Sequence, residues 1–219
     1  MSRTALITGA GRGIGRAIAT ALELGGVEVI TPSRAELDLA DQLAVARFAS
    51  TLDVDILINN AAENVPARIE DIQIGDWNRI VDIALTAPFI LTRGALPNMR
   101  RRGWGRIVNI ASAFSVVSYE GRAAYSAAKS GLLGLTRTAA IESAPDGVLV
   151  NAVAPGFVRT DLTEQNNTPE RIAEISRSIP LGRLAEPNEV AALVAFLAGE
   201  TNTYITGQLI SIDGGFLCR

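Results

Sequence analysis

Histidine is absent from the 219 residues, and cysteine occurs once, as Cys218. Without histidine, neither a His/Cys zinc site nor a serine–histidine–aspartate triad can be assembled, and no metal site is expected. A single thiol excludes an intrachain disulfide. Acid/base chemistry near neutral pH must therefore fall to a carboxylate, a tyrosine or a lysine of shifted pKa. No uninterrupted apolar run approaches the roughly 18 residues of a membrane span. A basic stripe is also missing, and the net charge of −3 gives no reason to expect nucleic acid. The residues from Met1 to Ala10 read as a strand and not as a signal peptide. A reduced, cytoplasmic protein is the simplest expectation.

Apolar residues make up 48% of the chain and are spread along its length, as in a globular protein. The length suits one domain, residues 1–219, and is short for two. Short β-rich runs alternate with longer helical ones. Strands are predicted at Thr4–Thr8, Val27–Thr31, Asp55–Asn59, Arg106–Ile110, Val148–Ala152 and Leu209–Ile212, with a brief extended piece at Glu36–Leu39. Helices are predicted at Ile14–Leu24, Gln42–Ser50, Ala123–Ser143 and Pro187–Leu197. A long one covers about Asp76 to Arg101, with Pro88 and Pro97 as kinks. This alternation predicts a parallel sheet with helices on both faces.

The first strand ends in Thr8-Gly9-Ala10-Gly11-Arg12-Gly13-Ile14-Gly15, and a helix follows. Glycines there let the backbone turn sharply and let a pyrophosphate approach the amides at the helix start. The spacing is wider than G-x-G-x-x-G, since Ile14 falls where the third glycine would be.

This glycine motif resembles that of the short-chain dehydrogenase/reductase family, and the resemblance continues along the chain. Asn59-Asn60-Ala61-Ala62 is similar to the family's N-N-A-G, Tyr125-Ser-Ala-Ala-Lys129 to its Y-x-x-x-K, and Pro155-Gly156-Phe157-Val158-Arg159-Thr160 to its P-G-x-V-x-T. The tail from Ile179 to Gly215 most resembles 3-oxoacyl-(acyl-carrier-protein) reductases. The resemblance implies a single Rossmann-like, doubly wound α/β domain with a mostly parallel seven-stranded sheet. It also implies that one crossover helix is shortened or missing here, because Ser33 to Asp38 leaves no room for it.

What the resemblance implies for a nicotinamide cofactor is specific. Gly9, Gly11, Gly13, Ile14 and Gly15 should line the pyrophosphate, and Asn60, Ala61 and Ala62 should lie near the adenosine ribose. Asp38 and Leu39 should contact adenine. Pro155 and Gly156 should lead to Val158 and Thr160, which hold the carboxamide. The second strand ends in Pro32-Ser33-Arg34 without the acidic residue that NAD-specific enzymes generally place there. Arg34, with Ser33 and Arg12, suits a 2′-phosphate, so NADP(H) is favoured over NAD(H).

Tyr125 and Lys129 lie four apart on a predicted helix and share a face. An ammonium beside the phenol should lower its pKa and make it an acid/base near neutrality. By the resemblance, Lys129 also binds the nicotinamide ribose, and Ser112 hydrogen-bonds the substrate oxygen. The expected reaction moves a hydride between the nicotinamide and a carbonyl or hydroxyl carbon of a small molecule.

Two departures stand out. Ala84 occupies the place of an asparagine, seven residues after Trp77, that the family uses in its proton relay, and Ala62 replaces a glycine. Ala84 keeps an alternative open, a nucleotide-binding relative of weak or no activity. A sugar-nucleotide epimerase is a further alternative, but it usually needs a substrate domain after the last strand. Ala113–Gly121 should form a pocket wall and Asp161–Ile179 a flap over the site. Arg100, Arg101 and Arg102 with Arg106 could dock an acidic acyl carrier protein, though basic residues closing a helix are the plainer reading. The long helix and the Tyr125 helix are the family's usual self-association surfaces, which implies a dimer or a homotetramer.

Overall fold

The computed structural model describes residues 2–160, 163–164 and 167–218. Its strands are β1 (Thr4–Ile7), β2 (Glu28–Ile30), β3 (Ile56–Asn59), β4 (Gly105–Ile110), β5 (Val148–Pro155) and β6 (Leu209–Ile212). All pair in parallel, in the order β2-β1-β3-β4-β5-β6. The helices are α1 (Gly13–Leu24), α2 (Gln42–Ser50), α3 (Ile74–Val81), α4 (Ala87–Arg102), α5 (Ala123–Ser143), α6 (Pro169–Ser178) and α7 (Pro187–Ala198).

Side chains alternate across a strand, so each strand feeds both faces. Ala5, Ile7, Ile56, Ile58, Val108 and Val153 pack with Ile18, Leu22, Val190 and Val194 of α1 and α7. Leu6, Leu57, Ile107 and Val150 pack on the other face with Val45, Leu91, Met99 and Ala139 of α2, α4 and α5. Burial on both faces explains why these strands read as continuous apolar runs. β5 runs three residues past its expected end, because pairing continues through Pro155 and Ile212.

Six strands stand where seven were expected. The segment after β2 forms no strand. Ser33 and Glu36 close it into one turn, with Glu36 Oε2 accepting from Ser33 N at 2.7 Å and Ser33 Oγ from Glu36 N at 3.4 Å. Leu37 then turns inward, 5% exposed, into the core beneath α2 and α4. Asp41 caps α2 by accepting from Ala44 N at 2.9 Å. One buried leucine thus replaces a helix and a strand, and β2 becomes a sheet edge.

The long helix is continuous from Ile74 to Arg102, but its break precedes Pro88. Residues Asp82–Thr86 form a π segment, and Ala87 N–H donates to the Asp82 carbonyl, five residues back. Pro88 has no N–H, so the Ala84 carbonyl lacks its α-helical donor, and the ladder slips there. This helix is long and apolar enough to cross a bilayer by length and composition alone, which a search for uninterrupted apolar runs does not register. Half of that stretch is buried within the fold, against the sheet and its neighbours.

Arg106 is 4% exposed and cannot belong to a docking surface, contrary to its grouping with Arg100–Arg102. Its guanidinium donates to the carbonyls of Gly105 (2.8 Å), Gly147 (3.3 Å) and Asn202 (2.9 Å), and it lies over the Trp104 ring at 4.4 Å. It ties the starts of β4 and β5 to the loop before β6. The other three arginines are engaged locally, Arg100 with Asp146, Arg101 with Asn98, and Arg102 with Asp53 and Asp55. Arg106→Ala leaves three carbonyls without their donor, and a loss of about 3 kcal/mol is expected in urea unfolding. Arg101→Ala, at the surface, should change stability by no more than about 0.5 kcal/mol.

Candidate active site

The strand order reverses between β1 and β3, since the chain first adds β2 on one side of β1 and then crosses to the other. In open parallel sheets this point opens a crevice at the carboxyl ends of the strands. The glycine turn leaves β1 there, and Asn60 and Ala61 leave β3. Thr8 and Asn60 clasp the two ends. Thr8 Oγ1 accepts from Asn60 N at 3.0 Å and Ala61 N at 3.1 Å, and Asn60 Nδ2 donates to the carbonyls of Thr8 (2.9 Å) and Gly9 (3.2 Å). A Cβ on Gly15 would stand 2.4 Å from the Gly9 carbonyl oxygen and 2.5 Å from Asn60 Nδ2, so no side chain fits. Gly9 has φ +68° and faces Ala61.

The first turn of α1 has no capping side chain and no acidic residue. Its amides at Gly13, Ile14 and Gly15 are therefore available to an anion. Arg12 stands exposed at the N-cap. Thr160 reaches over from the segment after β5, within 3.2 Å of where a Gly13 Cβ would be. Between them lies a cleft of about 310 Å³ lined by Gly13, Arg16, Arg159, Thr160, Glu164, Glu186 and Pro187. Arg159 there pairs with Glu164 and Glu186, each at 3.2 Å. The turn, the open amides and the cleft fit the pyrophosphate of a dinucleotide. Val158 is buried and bridges to Ala185, and Gly156 packs on Asp213.

At the β2 edge, Arg34 pairs with Asp38 at 3.7 Å, both on the surface. Asp38 also accepts from Ala40 N at 3.0 Å, while Leu39 leans on the core. A hydrogen bond from the Ser33 backbone, then one with its side chain, holds the Glu36 carboxyl below its usual range. An acid thus stands in the turn after β2, six residues beyond Ile30 and three beyond Ser33, outside the Pro32-Ser33-Arg34 stretch read for it.

Ser112 follows β4 and caps the short turn Ala113–Ser115, its Oγ accepting from Phe114 N at 3.1 Å. Tyr125 and Lys129 sit one turn apart on α5, with Nζ 5.8 Å from the phenol ring centroid. Lys129 is 1% exposed and donates to the Ile110 carbonyl. Among the described residues no charged partner accompanies it, and burial brings its pKa down to about 8. Burial likewise pushes the Tyr125 phenol above its ordinary value, against a hydrogen bond with the Ser112 side chain and the nearby Arg122 guanidinium. The expected lowering of Tyr125 by Lys129 is therefore not found. The amine is turned to a backbone carbonyl, and desolvation outweighs its charge.

Of the expected flap, Asp161, Leu162, Gln165 and Asn166 lie outside the described residues. Its later part is α6, whose Ile172 and Ile175 pack with Phe157, Ile179 and Leu184. Arg171 of α6 donates to the Tyr119 hydroxyl at 3.1 Å, joining flap to wall. Thr8, Arg16, Arg122 and the Ile110 carbonyl are site groups that reading the sequence did not single out. Thr8 alone lay inside a quoted motif.

A family profile described as enoyl-(acyl carrier protein) reductase matches residues 35–217. The 3-oxoacyl-(acyl-carrier-protein) reductase FabG of Rickettsia prowazekii is 39% identical over 98% of this chain and 97% of its own length. The chain belongs to the short-chain dehydrogenase/reductase family. Other short-chain dehydrogenase/reductase relatives differ in what they act on. The D-beta-hydroxybutyrate dehydrogenase of Rhizobium meliloti is 35% identical over the whole of both chains. A solved structure from Beutenbergia cavernae, described as a candidate NAD(P)-dependent gluconate 5-dehydrogenase with NADP at low occupancy, superposes with a TM-score of 0.94. It is 38% identical over 99% of this chain and 97% of that one. Relatives of this kind make the chain an NAD(P)-dependent oxidoreductase of the short-chain dehydrogenase/reductase type.

The depressed amine of Lys129 bears on stability. Unfolded, it titrates near its ordinary value, and folded, at about 8. Between these the unfolded chain binds the extra proton, so stability rises with pH across that window, and the cost of burial is full below it. The raised phenol of Tyr125 reverses the slope only above its own ordinary value. Lys129→Met is expected to stabilise the nucleotide-free protein at neutral pH, by about 3 kcal/mol at most, and to flatten the rise. Urea unfolding followed across the window checks this, and an unaltered slope in the variant would contradict it.

Proposed function

We propose that this protein reduces a ketone or oxidises the matching secondary alcohol, with Tyr125 as general acid/base. The observation that carries the reading is the meeting of Ser112, Tyr125 and Lys129 beside the crevice formed by the glycine turn. A bound nicotinamide dinucleotide supplies or accepts the hydride at this site. Gly9, Gly11, Gly13, Ile14 and Gly15 bind its pyrophosphate, Asn60, Ala61 and Ala62 face the ribose, and Pro155 to Thr160 hold the carboxamide end. In reduction, Tyr125 gives its phenolic proton to the substrate oxygen as the carbonyl carbon takes hydride. A phenol raised by burial is protonated at neutral pH and suits that direction. Ser112 donates a hydrogen bond to the same oxygen, and Lys129 orients the ribose once nucleotide is present.

NADP(H) is the cofactor we favour, held through Arg34 with Ser33 and Arg12. Relatives crystallised with NADP support it. The carboxylates of Asp38, paired with Arg34, and of Glu36 nearby support NAD(H) instead, because both would repel a 2′-phosphate and would have to turn aside or take up protons to admit it. A 3-oxoacyl thioester or a small ketone is the substrate class suggested by the FabG relatives. A weakly active nucleotide-binding relative is the second reading. It rests on Ala84, which offers only its carbonyl where an asparagine side chain would hold water. A cytoplasmic homo-oligomer, dimer or tetramer, is proposed through α4 and α5, where Phe89 and Ile141 are exposed.

Fluorescence titration with NADPH and NADH, followed by turnover, tests this. NADPH should bind at least tenfold tighter, and Arg34→Ala should erase most of that preference, while Glu36→Gln should increase it. Tyr125→Phe should reduce turnover by about a hundredfold or more with nucleotide affinity retained. Full turnover in Tyr125→Phe would overturn the assignment.

A further inference from the structure

Aromatic side chains number eleven in this chain, and four of them form one connected row that includes Phe114, two residues after Ser112. Phe114 and Tyr119 stack, with centroids 6.0 Å apart and planes at 25°. Phe114 meets Phe157 edge-on at 6.0 Å, and Phe157 meets Phe216 edge-on at 5.4 Å. Phe114 is two residues from Ser112, whose Oγ caps its backbone. Phe157 follows Gly156, at the head of the segment that carries Val158 and Thr160. The row therefore links the turn after Ser112 to the segment that carries Val158 and Thr160. Val116 (57% exposed) and Val117 (43%) extend it on the Ser112 side. Glu120 is the one carboxylic acid of Ala113–Gly121, which has no basic residue, and Arg171 reaches the wall through the Tyr119 hydroxyl.

We infer that this wall selects a substrate whose carbonyl is borne on an apolar ring, an aryl or alicyclic ketone or the matching secondary alcohol, over polyhydroxylated sugar acids. The inference rests on the oxidoreductase reading above and narrows its substrate. A ring laid on these side chains releases water from apolar surface on both partners and gains stacked or edge-on contacts. A sugar acid would surrender hydrogen bonds to water against ring faces that replace none, while the hydroxyls of this wall are already engaged, Ser115 with Ser112, Ser118 with Ser126 and Tyr119 with Arg171. The linear 3-oxoacyl chain of the FabG relatives gains burial but not the ring geometry.

The test compares 2-tetralone, a 3-oxobutanoyl thioester, 5-oxogluconate and acetone under NADPH, with the nucleotide-saturated protein. The kcat/KM for 2-tetralone should exceed that for 5-oxogluconate and for the thioester by about tenfold or more. Phe114→Leu should lower the 2-tetralone to acetone selectivity ratio by roughly tenfold through KM. Tyr119→Ala, at a half-exposed position that tolerates truncation, should do the same. Packing of α6 alone would alter stability and leave that ratio in place. Preference for 5-oxogluconate or the thioester, or an unmoved ratio in both variants, overturns the inference. If nothing is turned over, the oxidoreductase reading fails. Saturation transfer from the protein to the ring protons of 2-tetralone then decides the wall separately. Transfer lost in Phe114→Leu supports it, and no transfer in the unsubstituted protein refutes it.

Discussion

Two side chains, Thr8 and Asn60, hold the ends of β1 and β3 together, and the crevice depends on that clasp. The sheet order makes these strands neighbours, but pairing stops at Ile7 and Ile58. Beyond it, the Thr8 hydroxyl takes two amides of the β3 exit, and the Asn60 amide takes two carbonyls of the β1 exit. The Thr8 hydroxyl and the Asn60 amide thus find their partners without using the amides of α1. Those amides stay free because no side chain caps the helix, and Gly15 can approach because it has none.

Burial dominates charge at the reacting end. It lowers the amine of Lys129 and raises the phenol of Tyr125, so both groups are driven toward their neutral forms in the nucleotide-free molecule. The lysine meets only a backbone carbonyl, a neutral partner that relieves desolvation less than a carboxylate would. An acidic neighbour would have kept the ammonium charged and made the pair insensitive to what binds beside it.

The short path from β2 to α2 shows how a family fold tolerates deletion. Leu37 enters the core that a helix and strand would otherwise cover, and the Ser33–Glu36 turn satisfies the backbone polar groups of the shortened link. The cost falls on the sheet margin. β2 keeps one unpaired edge, with Arg34 paired to Asp38 and Glu36 held by Ser33 at the surface beside it.

Much of this was legible from residue order. Alternating apolar runs placed all six strands within a few residues, because strands buried on both faces carry an unmistakable density of Val, Ile and Leu. Motif spacing placed the glycine turn after the first strand and Tyr125 and Lys129 on one helix, because turn glycines and same-face pairs on a helix are local properties, while Ser112 was picked out by the family resemblance. The brief extended piece at Glu36–Leu39 could not be separated from a strand by its residues alone. Whether it pairs depends on room beside β2. The break in the long helix was tied to its prolines, but the slip to a π segment precedes Pro88, since the missing donor acts on a carbonyl one turn earlier. Arg106 resembled its exposed neighbours in sequence and proved buried, because three carbonyls from distant segments converge on it. The pKa directions of Tyr125 and Lys129, the Thr8–Asn60 clasp and the aromatic row all require residues far apart in sequence to be brought together. Composition and spacing thus determined the layered fold and the chemical groups available. Only tertiary packing decided which of those groups lose water, which find partners, and so which way each one is poised.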